Sequence, residues 1–136
     1  MNPAAGEDPI AGALALSGGR GVDAVIITAA TPSNEPIEHA ADMSRPRGRI
    51  VALGLVGLDV PRDVFYRKEL ELRLSMSSGP GRYDRQYEEH GVDYPYAHVR
   101  WTEQRNMQAF VELVATGQIS PARLITHRLA VDDAHR

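Results

Sequence analysis

The fold is decided by two stretches, GVDAVIITAA at residues 21–30 and GRIVALG at residues 48–54. Both are short, rich in β-branched residues, led by a glycine and closed by small residues. A segment of helix length, Ser33 to Pro46, separates them. Continuous apolar runs that alternate with helical segments are typical of a parallel sheet covered on both faces. The sequence therefore predicts an α/β protein with buried strands at 22–29 and 49–53.

Capping and turn signals predict the remaining elements. Asp8 and Gly18 bound a first helix, and Ser33 or Asn34 begins a second. The apolar side of that second helix is formed by small and branched residues, namely Ile37, Ala40, Ala41 and Ser44. Further along the chain we expect a helical turn at 64–68, a strand alternating through 70–74, a helix at 102–116, a strand at 124–129 and a helix that begins at Asp132.

Glycine clusters invite a dinucleotide-binding interpretation, but none spells G-x-G-x-x-G between a strand and a helix. The first cluster, at 18–21, is typical of a helix C-cap followed by a turn. Gly54 and Gly57 follow a buried strand, where a plain turn and the close approach of a ligand would both favour glycine. Both alternatives stay open for these two residues.

Composition excludes several functions. The 136 residues are 43% hydrophobic and 24% charged, with a formal net charge of -3. This charge lacks the positive excess typical of proteins that bind nucleic acid or an anionic membrane. No apolar run approaches the roughly 18 residues of a bilayer span, and we expect a cytoplasmic protein. The chain has no cysteine, and its five histidines lack metal-ligand spacing, so we assign it neither a metal site nor a catalytic residue.

Residues 79–101 form a long segment without sustained periodicity that holds four of the five tyrosines. A loop of this length in a compact domain is usually functional or disordered. Its aromatic content argues against disorder. The tyrosines could serve as a general acid, as a substrate platform or in packing of the loop, and packing is the favoured interpretation.

The ordered motifs at 19–26, 48–54 and 124–128 resemble landmarks of the medium-chain, zinc-type alcohol dehydrogenase superfamily. Within it, residues 69–75, 79–84, 93–95 and 99–103 are similar to bacterial zinc-binding or bi-domain oxidoreductases. The resemblance implies a partial Rossmann fold whose three parallel strands are the fourth, fifth and sixth of the family sheet. Residues 1–120 would be the C-terminal half of the coenzyme domain, with 79–101 as its tyrosine-rich loop. Residues 121–136 would begin the return to a catalytic domain.

The resemblance also implies a site for NAD or NADP at the ends of these strands. Thr28, Ala29 and Ala30 would lie beside the adenosine-side ribose or the pyrophosphate. Leu53, Gly54 and Leu55 would meet the nicotinamide, and backbone groups there would bond its carboxamide. Met76, Ser77 and Ser78 would approach the same ring from the side. Zinc, where the parent enzyme uses it, would belong to its catalytic domain.

Family members carry a catalytic domain, three further strands and a glycine-rich phosphate turn that this sequence lacks. We therefore expect a fragment that is inactive alone. Strand 22–29 would be an exposed edge, open to self-association or to a partner chain. The competing hypothesis is a small non-catalytic α/β module for binding or oligomerisation.

Overall fold

The computed structural model describes residues 5–133. The chain divides into two compact units, Met1–Ser77 and Ser78–Arg136. The first unit contains α1 (Pro9–Leu16), β1 (Val22–Ile27), α2 (Glu35–Met43), β2 (Ser44–Ala52), α3 (Arg62–Lys68) and β3 (Glu71–Leu74). The second contains α4 (Arg85–Glu88), α5 (Glu103–Ala115) and two 3-10 turns, Pro121–Leu124 and Val131–Asp133.

The three strands form one parallel sheet in the order β1-β2-β3. The α/β class and the parallel pairing of the two glycine-led runs are therefore confirmed. β1 lies at one edge, as expected, and β2 lies in the centre. Strand 22–29 is shorter than predicted, because the ladder ends at Ile27.

One face of the sheet carries the core of the first unit. Its buried members, drawn from β1, α2 and β2, are Ile27, Ile37, Ala40, Ala41 and Ile50. The apolar side predicted for the second helix is confirmed, and Ser44 is buried with it. The prediction of strands buried on both faces is wrong for β1. Ile26 of this edge strand is 66% exposed.

β2 begins earlier than the sequence indicated. Val22 pairs with Ser44 but Ala24 pairs with Arg49, so the segment 45–48 bulges out of the ladder. Pro46 lies in this bulge, where its missing N–H breaks no regular pairing. Arg45 contacts Asp23 at 2.6 Å across the bulge, and this bond and charge lower the pKa of the Asp23 carboxyl.

Capping explains the first helix and its turn. The Asp8 carboxylate accepts hydrogen bonds from the N–H groups of Ile10 and Ala11, as an N-cap residue does. At the other end the Gly19 N–H donates to the Leu14 carbonyl at 2.7 Å, and Gly18 and Gly19 have positive φ angles. The first glycine cluster is thus a helix C-cap and turn, as predicted.

Of the elements predicted after residue 101, the helix is confirmed and the strand is not. Helix 102–116 is confirmed as α5, which spans Glu103–Ala115. The strand predicted at 124–129 is wrong, because the chain makes a 3-10 turn at Pro121–Leu124 and then no regular structure up to Ala130. No neighbouring strand pairs with this segment among the described residues, so its β-branched composition has no ladder to join. The helix predicted from Asp132 is present only as a 3-10 turn, and its continuation lies outside the described residues.

Lys68 ties three elements of the first unit together. From the end of α3, its Nζ donates to the carbonyls of Ala41, Asp42 and Ser44 at 2.8, 2.7 and 2.9 Å. These carbonyls end α2 and begin β2, where a helix leaves acceptors without intrahelical partners. A cation at a helix C-terminus is also favoured by the helix dipole.

We predict that Lys68→Met lowers the free energy of unfolding by about 2–3 kcal/mol, because three carbonyls lose a charged donor at once. The matched control is Arg67→Met, which removes only an exposed ion pair with Asp63 and should cost less than about 1 kcal/mol. Urea unfolding followed by far-ultraviolet circular dichroism measures both. Equal losses in the two variants would contradict this role of Lys68.

Candidate functional site

The candidate site lies where the strands of the first unit end. Because the strands are parallel, their carboxyl ends meet at one edge of the sheet, where open α/β sheets bind ligands. A cavity of about 450 Å³ is lined by Ala30, Thr31, Pro32, Leu55, Val56 and Gly57. A second, of about 270 Å³, is lined by residues 52–56 together with Leu58, Leu74 and Ser75.

The segments that follow β1 and β2 stay in contact beyond the ladder. The Ile27 carbonyl accepts hydrogen bonds from the N–H groups of Leu53 and Gly54, at 3.0 and 2.8 Å. The Thr31 N–H donates to the Leu55 carbonyl at 2.9 Å, and Thr31 pairs with Val56 in an isolated bridge. These bonds hold the two segments side by side and shape the first cavity.

The close approach of these two segments leaves room only for a glycine at position 54. A Cβ added at Gly54 would lie 2.0 Å from the Ala29 carbonyl oxygen, so any side chain would force the two backbones apart. At Gly57 a Cβ would lie 2.3 Å from the Asn34 Oδ1, which itself accepts from the Asp59 N–H at 3.0 Å. Close approach therefore explains both glycines, and the approaching group is the protein itself.

The structure brings together part of the predicted cofactor-binding set. Ala30 and Leu55 line the larger cavity, while Leu53, Gly54 and Leu55 line the smaller one. Thr28, Ala29, Met76 and Ser77 flank the strand ends without lining either cavity. Ser78 belongs to the second unit, where its carbonyl accepts from the Asn106 amide at 3.2 Å.

Other lining residues were missed by the sequence reasoning. They follow the predicted segments directly or end β3, and they are Thr31, Pro32, Val56, Leu58, Leu74 and Ser75. The signal for the first three was present, because each lies one or two residues beyond the quoted small-residue runs. Leu58 and the end of β3 could not be placed without knowing how the loop after β2 returns.

This edge of the sheet is lined by uncharged residues. None of the residues that line the two cavities has an ionisable side chain, so the lining contains no group that could act as a general acid or base. The N–H groups of Leu53 and Gly54 are already engaged by Ile27. These two N–H groups are therefore not free to bind a further acceptor. Between residues 5 and 133, no cluster of three or more His, Asp or Glu side chains could hold a metal ion.

The tyrosine-rich segment was the other candidate, and two of its tyrosines pack within the second unit. The rings of Tyr87 and Tyr94 stack with centroids 5.8 Å apart. The Tyr87 hydroxyl accepts from the N–H of Gln104 in the first turn of α5. Gly81 leaves room for the Tyr87 ring, since a Cβ there would lie 2.6 Å from it. For these two residues the favoured interpretation, packing, is confirmed.

Tyr94 is also electrostatically tied to its neighbour Asp84. Its hydroxyl donates to the Asp84 carboxylate, which is also the N-cap of α4 and accepts from the Gln86 N–H. Both hydrogen bonds lower the pKa of the Asp84 carboxyl, and the bond from Tyr94 has the larger effect. The same bond raises the pKa of Tyr94. A tyrosine held in this way is a poor general acid.

No protein-family model matches the chain, and a search of curated proteins also gave no significant match. Solved structures do match. The alcohol dehydrogenase TADH from Thermus sp. ATN1 is 19% identical, with a TM-score of 0.64 over 98% of this chain and 32% of that one. A putative NADPH:quinone reductase from Bacillus thuringiensis is 17% identical, with a TM-score of 0.52 over 85% of this chain and 30% of its own.

A quinone oxidoreductase from Pseudomonas syringae pv. Tomato DC3000 is 18% identical, with a TM-score of 0.51 over 84% of this chain and 30% of its own. At such identities the likeness concerns the fold alone, which is that of the parallel α/β sheet of dehydrogenases and reductases. The chain spans about a third of the length of these structures. Among the described residues no helix has the length and apolar composition needed to cross a membrane.

We predict that Gly54→Ala lowers the free energy of unfolding by at least about 2–3 kcal/mol, the cost of overpacking against backbone. The control is Gly19→Ala, where a Cβ meets open space but φ is +78°. That variant should lose only about 1 kcal/mol, from backbone conformation alone. Thermal and urea unfolding measure both, and a Gly54→Ala protein as stable as the Gly19→Ala protein would contradict the close approach.

Proposed function

We propose that this chain is part of the coenzyme domain of an NAD(P)-dependent oxidoreductase of the zinc-type alcohol dehydrogenase superfamily. The observation that carries the proposal is the parallel order β1-β2-β3, whose carboxyl ends open into two neutral cavities. The ordered sequence motifs and the fold likeness to TADH over 98% of the chain support it. On this proposal, residues 1–120 belong to the coenzyme domain and residues 121–136 begin the return to a catalytic domain.

The strand ends suit the nicotinamide half of the coenzyme. A flat nicotinamide ring, which is uncharged in the reduced coenzyme, fits apolar walls, and its carboxamide would bond backbone groups near Leu53 and Gly54. The roles that the family resemblance implies remain part of the proposal: Thr28, Ala29 and Ala30 near ribose or pyrophosphate, and Met76, Ser77 and Ser78 beside the ring. The coenzyme, when bound, supplies the hydride, and these residues orient it.

The chain does not supply the rest of the reaction. The cavities hold no ionisable side chain, so proton transfer and substrate binding fall to other parts of the enzyme. The structures it resembles are about three times as long. We therefore propose that the chain on its own performs no turnover, and that any zinc belongs to the catalytic domain.

We predict that reduced nicotinamide mononucleotide binds the strand ends at millimolar concentration. A titration of the ¹⁵N-labelled full chain, followed by NMR, should shift the amides of residues 30–32 and 53–57. Adenosine monophosphate should leave the amides of residues 53–57, on the nicotinamide side, unchanged. Leu55→Asp should abolish the shifts by repelling the phosphate. The matched control is Leu16→Asp, since Leu55 and Leu16 are 85% and 86% exposed, and this variant should bind normally.

Equal responses to the two nucleotides, or none to either, would contradict the coenzyme site and favour the non-catalytic module. Steady turnover of NADH or NADPH by the purified chain with simple alcohols would instead contradict only the proposed inactivity.

A second part of the proposal concerns the exposed edge strand. Within residues 5–133 no strand pairs with the outer backbone edge of β1, and its Ile26 is 66% exposed. An apolar parallel edge is a template for another strand. We propose that β1 pairs with a second copy of the chain or with a partner polypeptide.

We predict that the apparent mass in sedimentation velocity rises with protein concentration. Ile26→Lys should reduce this association, because charge on an edge strand opposes pairing. The control Val111→Lys alters a residue of α5 that is 64% exposed and should leave the association unchanged. A monomer at every concentration, with a sharp melt above about 60 °C, would contradict the proposal.

A further inference from the structure

The second unit contains a pocket that the proposed coenzyme site does not use. Its volume is about 400 Å³. One side is a single face of α5, because residues at i, i+3, i+4 and i+7 align on a helix, and these are Arg105, Gln108, Ala109 and Glu112. The other side is the segment before the helix, which contributes Tyr96, Arg100 and Trp101.

Arg100 is the positive charge of this pocket. Its guanidinium lies 4.1 Å from the ring centroid of Trp101 and 4.6 Å from that of Tyr96. Two rings hold the group by cation–π attraction, which orients it without neutralising it. Within residues 5–133, no carboxylate forms an ion pair with Arg100.

Arg105, by contrast, is paired with a carboxylate and two backbone carbonyls. It contacts the Asp93 carboxylate at 2.6 Å and donates to the carbonyls of Val99 and Tyr94 at 2.5 and 2.7 Å. Its side chain is only 14% exposed. Arg105 therefore fixes the wall of the pocket and leaves Arg100 as the group available to a ligand.

The remaining surfaces limit what that ligand can be. Tyr96 and Trp101 are 59% and 48% exposed, so they offer ring surface, and the small Ala109 leaves space above the helix. A guanidinium matches a carboxylate with two parallel hydrogen bonds. Glu112 on the same helix face would repel a second negative charge.

We infer that this pocket binds a small organic carboxylate of single negative charge with a planar apolar body. The carboxylate pairs with Arg100, and the planar body lies against the aromatic rings and over Ala109. The inference uses residues of the second unit alone and does not depend on coenzyme binding.

Benzoate is the probe, and Trp101, the only tryptophan in the chain, is the reporter. Titration of the full chain with benzoate should change Trp101 emission saturably in the millimolar range. The neutral analogue benzamide and inorganic phosphate should bind at least about tenfold more weakly, since one lacks the charge and the other the planar body. Equal responses to all three, or a linear response without saturation, would overturn the inference.

Two variants retain Trp101 and locate the binding. Arg100→Gln removes the charge, and Ala109→Leu fills the space above α5; each should weaken benzoate binding by at least about tenfold. Matched controls are Arg123→Gln and Ala115→Leu, which make the same changes at exposed positions outside the pocket, and both should bind normally. Circular dichroism verifies that each variant is folded.

As an independent readout, ¹⁵N-labelled wild-type chain with benzoate should show amide shifts centred on residues 96–112. Shifts elsewhere, or loss of binding in the control variants as well, would overturn the assignment to this pocket.

Discussion

The Ile27 carbonyl oxygen accepts two backbone hydrogen bonds where β1 and β2 leave the sheet, and the candidate site depends on that contact. A carbonyl oxygen has two lone pairs, so Leu53 and Gly54 can both donate to it. The resulting approach brings Ala29 so close to Gly54 that no Cβ fits. The edge that results is lined by uncharged, mostly apolar residues, which makes it neutral.

The helices that cover the sheet are joined by a polar contact as well as by the aliphatic core. Lys68 donates to three carbonyls at the junction of α2 and β2. That junction has no intervening loop, because α2 ends at Met43 and β2 begins at Ser44. The bulge at 45–48 follows at once, so Lys68 stabilises the chain where it changes from helix to strand.

The second unit is held together by different interactions. In the first unit Ile37 and Ile50 are fully buried, whereas in the described part of the second unit the only buried residues are Gly81 and Thr102. Stacked tyrosines, the bond of Tyr94 to Asp84 and the ion pair of Arg105 with Asp93 take the place of an aliphatic core. The apolar residues Met107, Phe110 and Val111 of α5 are more than half exposed. The candidate pocket of this unit is lined by two aromatic rings, Tyr96 and Trp101, and two cations, Arg100 and Arg105.

The prediction from sequence succeeded where the signal was local. Helix α5 was bounded correctly by its periodicity and by Thr102 and Gly117, and the buried face of α2 followed from its spacing. The prediction from sequence failed where the structure depends on pairing with a segment that is distant along the chain. The bulge at 45–48 depends on the register against β1, and residues 124–129 have β-strand composition but no strand beside them.

The sequence by itself determined the α/β class and the parallel pairing of its two glycine-led runs. Tertiary structure alone decided that Gly54 accommodates the backbone of Ala29 and Gly57 the side chain of Asn34. It also decided that the Arg100 guanidinium lies over two aromatic rings. The physical reason is the distance along the chain over which each kind of interaction acts. Periodicity and capping act over a few residues of one segment, whereas steric fit and charge pairing are set between segments whose distance no local pattern encodes.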